Sequence, residues 1–526
     1  MKRFLLLKNA FILVLTSFIL RTVGIFFRVY LSNKIGAEGI GLYQLVFSIY
    51  ILASTFAVSG ISTAVTRLVS EQVGNETRRS IRRIMRRAVM LSLVFGISSS
   101  LIVFLFAKPI ALYGLGDIRA VPALRILTLG LPFMGLSSCF RGYFIARRRV
   151  SNSTGAQLFE QFVRITTIIL IIGKFSDKGI GTACAAVMIA DTLAETLACG
   201  YLAIGYMIDK RKLPTVAGSS QKQRFILRKM LRISLPVSAG RYLNTALHTV
   251  ENLLVPNCLA RFSGSRERAL SQFGMLKGMA MPILFFPASF LSAISTLLVP
   301  EISEASVLRQ SGKVMRAVNQ SMRLTLLLSI PVSALFIMFS KQLGMLIYHD
   351  TQVGFLIGAL APITPFMYLE SVVDGILKGL DQQVSSLKYN MFNSVVRIAT
   401  IVLLVPLRGI RGFLLIMIVS NILTSSLNIR RLLRVTGVRM RWGQWIFKPL
   451  LAIAASVVTA KGICQFFENK SLPAIMLIIG VSSVVLILYG VLLVLFGCVG
   501  INDFEWFNIR RKVKSVGNTK KGLHRI

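Results

Sequence analysis

The chain has 526 residues, 54% of them hydrophobic against 15% charged, and a mean hydropathy of +0.69, a balance that excludes a soluble globular protein. Lys and Arg number 61 against 20 Asp and Glu, for a formal charge of +41, which in a soluble chain would suggest a nucleic-acid binder. Here the basic residues fall in short clusters between apolar runs of about twenty residues, the length that crosses about 30 Å of hydrocarbon as a helix. The chain therefore reads as an all-α polytopic membrane protein, with anionic membrane lipids rather than nucleic acid beside its basic clusters.

In chain order, the segment from residue 1 to 30 carries Lys2, Arg3 and Lys8 ahead of an apolar run. It resembles a secretory signal, but no small-residue cleavage site follows and Arg21 interrupts it, so it is expected to be a retained first span. Apolar runs then predict about fourteen membrane helices, centred near residues 20, 55, 100, 133, 165, 194, 245, 287, 331, 365, 396, 420, 456 and 485. Alternate loops divide the basic residues unevenly, 40 on the side of both termini against 14 on the other, and positively charged loops stay in the cytoplasm. Both termini are thus expected to be cytoplasmic in a plasma-membrane protein, which requires an even number of spans. The six cysteines lie in or beside apolar runs, without CxxC or a nearby His, so neither a disulfide framework nor a zinc site is expected.

A fixed offset of 233 residues relates distant stretches without gaps. Pro132-Phe133-Met134 returns as Pro365-Phe366-Met367, Gly142 as Gly375, Arg164-Ile165 as Arg397-Ile398, Ile61-Ser62-Thr63 as Ile294-Ser295-Thr296, and Ser70-Glu71 as Ser303-Glu304. The offset carries an even number of helices onto the next set, so both copies have the same orientation, a parallel repeat of the kind found in transporter halves. The expected organisation is a first six-helix lobe over 1–212, a second over 213–440, a helix pair over 441–500 and a basic cytoplasmic tail over 501–526.

Charges within the spans are costly, about 2.5 to 3.5 kcal/mol each at the bilayer centre, and persist only where they face protein, water or ligand. Arg21 and Arg28 lie on one stripe of the first span with Gly24 between them. On the seventh span Arg241, Asn244, Thr245, His248, Glu251 and Asn252 fit a sector of about 120° at 100° per residue. Two cationic stripes facing each other across the repeat axis would line a central aqueous cavity; Glu251 would alternatively serve as a counter-ion to Arg241 or Arg28. Arg164 and Arg397, near helix starts, are expected to snorkel to headgroups, and Lys277 to sit at an outer helix end. Asp191 with Glu195, and Glu370 with Asp374, are spaced four apart and share a face; they are candidates for Na⁺ or H⁺ coupling or for pairing with arginine.

A cationic cavity suits an anion, and guanidinium suits phosphate through two parallel hydrogen bonds. The string from Arg21 to Glu71, most specifically GAEGIGLYQ at Gly36 to Gln44 and the Ser62 to Glu71 run, resembles the stage V sporulation protein B type of polysaccharide transporter, and Leu235 to Glu304 is similar to the same family. That family belongs to the multidrug/oligosaccharidyl-lipid/polysaccharide (MOP) exporters, with the MurJ lipid II flippases and the toxic-compound extruders. The resemblance implies a fourteen-helix fold of two six-helix lobes plus a terminal pair that forms a lipid-tail groove. It implies a flippase, not an enzyme, that moves an undecaprenyl-diphosphate-linked sugar such as a peptidoglycan precursor between leaflets by alternating access. By position Arg21, Arg28 and Arg241, with Arg67 as a fourth, match the arginines that meet the diphosphate in the MurJ-like branch.

No GxxxxGK[ST] phosphate loop occurs, so membrane potential, an ion gradient or product consumption is expected to drive flow. Two other functions compete. An ion-coupled exporter of drugs or other small solutes on the same fold would favour an acidic cavity. A membrane-embedded glycosyltransferase or polymerase would need a catalytic carboxylate or metal site in a sizeable aqueous loop, and the chain has no DxD motif.

Overall fold

The computed structural model describes residues 2–58, 60–73, 78–212, 223–468 and 474–498, all helices and short connections with no strand among them. The expected basic tail and the expected boundary at 212–213 lie at or outside the limits of these residues. The helices are α1 (Lys2–Val58), α2 (Ile61–Val73), α3 (Arg78–Leu105), α4 (Val121–Ala146), α5 (Val150–Ser176), α6 (Ile180–Arg211) and α7 (Gln223–Ser263). They continue as α8 (266–307, with a π turn at Met275–Ala280), α9 (Ser311–Tyr348), α10 (Thr351–Gly379), α11 (Gln383–Thr436), α12 (Lys448–Glu468) and α13 (Ala474–Leu495). Every span centre read from the sequence falls inside one of them.

Ten helices are long and apolar enough to cross a membrane among the described residues, and two of these runs, Leu15–Glu71 and Gln383–Thr436, are far longer than one crossing needs. Both contain a break. Gly36 in α1 has φ 70° and ψ 176°, and Gly409 in α11 has φ 57° and ψ −141°, conformations that glycine reaches without Cβ strain. At Gly36 the helical run kinks. Ser48 of the second half meets α7, where it accepts from the Asn252 side chain at 3.1 Å. Phe18 of the first half meets α8, its ring centroid 6.4 Å from that of Phe286. The two halves of α1 therefore meet the second repeat at different places, the second half at α7 and the start of α8, the first half further along α8.

The repeat seen at an offset of 233 recurs as backbone geometry. Asp117 and Asp350 are both helix N-caps, accepting from the backbone N–H of Arg119 at 2.9 Å and of Gln352 at 2.7 Å. Gly116 and His349 are both left-handed, at φ 66° and 55°, as are Arg148 and Asp381 at φ 57° and 58°. The helices that follow those turns begin at Val150 and Gln383. His349, Arg148 and Asp381 hold a conformation costly for residues with a Cβ, which is evidence that the turn geometry itself is duplicated.

Core residues such as Leu42, Leu45, Leu124, Leu276, Ile357 and Phe413 are fully buried, whereas Leu170, Leu403 and Leu495 are 70%, 70% and 72% exposed. Large apolar side chains facing outward at that level suit a hydrocarbon environment and not water. The two repeats meet where α1 and α2 pack on α7 and α8. At the end that carries Gly36, a Cβ on Gly41 would lie 2.1 Å from the Leu270 carbonyl oxygen, and one on Gly274 would lie 2.1 Å from the Ala37 carbonyl oxygen. Backbone here touches backbone, as small residues permit between membrane helices. The same end is closed by Arg266, which donates to the Leu115 carbonyl and to Asn257 Oδ1, and by Arg119, which is 2.7 Å from Glu38 and from Asp117. Helices α12 and α13 stand against α9, where the Tyr489 hydroxyl donates to the Leu327 carbonyl at 3.0 Å.

Candidate functional site

A cavity of about 180 Å³ opens between the repeats, lined by Ser54, Thr55 and Val58 of α1, by Gly60, and by Ser238, Arg241 and Tyr242 of α7. Its walls exist because Gly60 takes φ 61° and turns the chain from α1 into α2 close to α7, where an added Cβ would meet Ser238 Oγ at 2.6 Å. Arg241 is exposed into this space. Nearer the basic end, Glu71 of α2 is 2.6 Å from Lys229 of α7 and 3.4 Å from Arg67, so one ion pair ties the two repeats below the cavity.

Among the described residues no carboxylate pairs with Arg21, Arg28 or Arg241. Arg21 is exposed on the first half of α1, and Arg28 is half-buried within electrostatic range of Tyr43 of the first repeat and Tyr348 of the second. Neither lines the cavity that Arg241 lines. Arg67 is exposed and paired with Glu71 four residues on, which separates it from the other three. Asn244 is half-buried with its Oδ1 unpartnered, and His248 is 51% exposed with Nδ1 3.7 Å from Glu251.

Three assignments from the sequence need correction. Arg164 and Arg397 do not snorkel. Arg164 is 2.5 Å from Asp191 and 2.8 Å from Glu160, and Glu160 is shared at 2.8 Å with Arg141. Arg397 donates to Glu251; its partner is therefore neither Arg241 nor Arg28, the counter-ions first considered for that carboxylate. Lys277 lies in the π turn of α8, half-buried, and not at a helix end. For both arginines the physical reason is the same: packing brings a carboxylate to their depth, and a paired charge in the bundle avoids the cost of an unpaired one.

The four coupling candidates divide in the same way. Asp191 is consumed by Arg164. Glu195 is buried beside Ser137, with no ion-pair partner among the described residues. Asp374 is 2.6 Å from Lys378 and accepts from Ser386 at 2.7 Å, while Glu370 is half-buried next to it. The Arg141–Glu160–Arg164–Asp191 chain was missed as a unit, although Glu160 and Arg164 are four apart on one helix face, a spacing that signals a pair.

Two helical repeats, an outward apolar surface and a cavity between the repeats mark a multi-pass membrane protein. The solved lipid II flippase MurJ in an inward closed conformation superposes with a TM-score of 0.69 at 14% identity, over 92% of this chain and 98% of that one. A multidrug resistance MATE family transporter in an inward-facing conformation gives 0.62 at 16% identity, over 80% and 94%. Residues 6–306 match the polysaccharide biosynthesis protein family, and the chain belongs to it; residues 261–404 also match the MatE family. Stage V sporulation protein B of Bacillus subtilis is 26% identical over 470 residues, 88% of each chain. The lipid II flippase MurJ of the same organism is 24% identical over 442 residues, 78% of this chain and 79% of that one.

Proposed function

We propose that the protein is a flippase that carries an undecaprenyl-diphosphate-linked oligosaccharide from the inner to the outer leaflet of the cell membrane. The observation that supports it most is Arg241: a guanidinium with no carboxylate partner among the described residues, exposed into a cavity between two repeats. An uncompensated charge there is retained at a cost that a visiting anion offsets, and a diphosphate accepts two parallel N–H bonds from it. The similarity to a lipid II flippase, and the match to the polysaccharide biosynthesis protein family, support the same cargo class. Arg28, and Arg21 further along the same stripe, would receive the diphosphate as the repeats rock, while the prenyl tail stays in hydrocarbon.

In this reading residues 1–212 and 213–440 are the two moving lobes, and 441–500 forms the accessory pair. The basic ends of the helices face the cytoplasm with both termini. Reporter fusions at Arg83 and at Arg148 are expected to read cytoplasmic; an external reading at either one would overturn the orientation. Of the four coupling candidates, Glu195 and Glu370 have no ion pair among the described residues and would be the ones to exchange a proton or a cation. For the function itself, expression of the chain in a strain depleted of its own lipid II flippases is expected to restore growth. No restoration from membrane-inserted protein, together with export of cationic drugs, would instead favour a small-solute exporter.

A further inference from the structure

Repeat mates Arg164 and Arg397 stand at equivalent places but have unequal partners. Arg164 is held inside its own repeat by two carboxylates, with the Gln161 side chain accepting a third bond at 2.9 Å. The positions matching Glu160, Asp191 and Glu195 in the second repeat are Asn393, Thr424 and Asn428, none of them charged. Asn393 accepts from Ser420 at 2.7 Å, and both side-chain heteroatoms of the fully buried Asn428 lack a partner. Arg397 accordingly reaches to α7 and takes Glu251, whose mate in the first repeat is Phe18.

Arg397 is not saturated by that contact. Its Nε is buried without a partner, as is Glu251 Oε2, and its side chain is 14% exposed. Lys277 of α8 lies within electrostatic range of both Glu251 and Arg397, and Glu370 of α10 within range of Arg397. His248, half-exposed, stands on the other side of Glu251 at 3.7 Å. Glu251 thus has two further neighbours to turn to if it lets go of the arginine, the Lys277 ammonium and the N–H of the His248 imidazole.

We propose, building on the flippase reading, that Glu251 is a built-in occupant of a second anion site, holding Arg397 while the carrier is empty and yielding it to a cargo phosphate oxyanion, which makes Arg397 a further headgroup-binding residue. A carboxylate and a phosphate present a guanidinium with the same pair of oxygens, so the exchange leaves no buried guanidinium unpaired. The displaced carboxylate finds Lys277 and His248. Neither Arg397 nor Glu251 is left without an opposite charge nearby in either state, which lowers the cost that otherwise makes breaking a buried pair prohibitive. Glu251 lies about 15 Å along α7 from Arg241 at 1.5 Å per residue, roughly half of a 30 Å hydrocarbon core. The diphosphate would pass from the cavity arginine to a station near mid-depth.

The test uses the full-length protein in nanodiscs, with inorganic pyrophosphate and undecaprenyl diphosphate as probes. Glu251→Gln, which frees Arg397, is expected to tighten pyrophosphate binding about tenfold, equivalent to 1.4 kcal/mol, and Glu251→Gln combined with Arg397→Gln to cancel that gain. Unchanged or weaker binding in folded Glu251→Gln, or a gain that survives in the double variant, would overturn the proposal. Should Glu251→Gln not fold, Arg397→Lys decides: the ion pair remains but the two-pronged contact is lost, so affinity must fall at least threefold, and no change overturns the idea. Undecaprenyl diphosphate is expected to compete with pyrophosphate and phosphatidylglycerol not to; equal competition would reassign the site to bulk lipid headgroups and overturn it for cargo. The broader reading fails separately, if neither wild type nor any variant binds pyrophosphate and Arg241→Ala changes nothing.

Discussion

Arg241→Ala is expected to leave membrane insertion and yield intact and to abolish growth of a strain that depends on this protein for lipid-linked sugar export. The side chain is exposed into the cavity and no carboxylate among the described residues rests on it, so its removal strands no partner and opens no core void. What is lost is a charge-assisted contact to the bound anion, worth about 1.5 to 3 kcal/mol, or roughly ten- to 150-fold in affinity. Arg241→Lys is expected to recover only part of that, because a point charge cannot reproduce the planar fork. Transport in inverted vesicles, normalised to inserted protein, measures both. Wild-type transport by Arg241→Ala would remove the residue from the cargo path.

The second large effect concerns the glycine seam at the other end. In Gly41→Val the new Cβ would sit 2.1 Å from the Leu270 carbonyl oxygen and 2.8 Å from its carbonyl carbon, backbone atoms that cannot rotate away. Either α1 and α8 part or the bundle fails to assemble. Overpacking of this kind costs about 1 to 3 kcal/mol, and set against one of two alternating states that is a population shift of roughly 5- to 150-fold toward the form open at the Gly36 end. Ala37→Cys, placed in a background with the native cysteines replaced, reports it. A membrane-impermeant maleimide is expected to label the cysteine severalfold faster when Gly41→Val is also present, with transport reduced. Unchanged labelling and full transport together would mean that the seam does not gate.

Much of the architecture was legible because membrane helices advertise themselves by length, and because duplication preserves register. The offset of 233 residues, read from a handful of identities, reappears in the N-caps Asp117 and Asp350 and in the left-handed turns at Arg148 and Asp381. Two breaks inside continuous helical runs, at Gly36 and Gly409, are harder to see in a sequence, since glycine also occurs inside helices without breaking them.

The site was legible only along single helices. The α7 stripe placed His248 beside Glu251 correctly, as its three-residue spacing requires. Partners on other helices were invisible: nothing in spacing tells Arg397 to choose Glu251, 146 residues away, or Arg164 to choose Asp191. Snorkelling was the default for arginines near helix starts, and it fails where tertiary packing brings a carboxylate to the same depth. Arg21 and Arg241 share a helix-wheel logic, yet Arg241 lines the cavity and Arg21 does not: the α1 residues that line it, Ser54, Thr55 and Val58, lie beyond the kink at Gly36 from Arg21.

The most direct measurement is a leaflet-accessibility assay in vesicles that contain the purified protein and a labelled undecaprenyl-diphosphate disaccharide, the label open to an impermeant reagent only on the outer face. With wild-type protein the protected inner pool is expected to become accessible within minutes, and with Arg241→Ala to stay protected as in protein-free vesicles. Equal protection with and without wild-type protein, or equal exposure by wild type and Arg241→Ala, would contradict a cargo path lined by guanidinium.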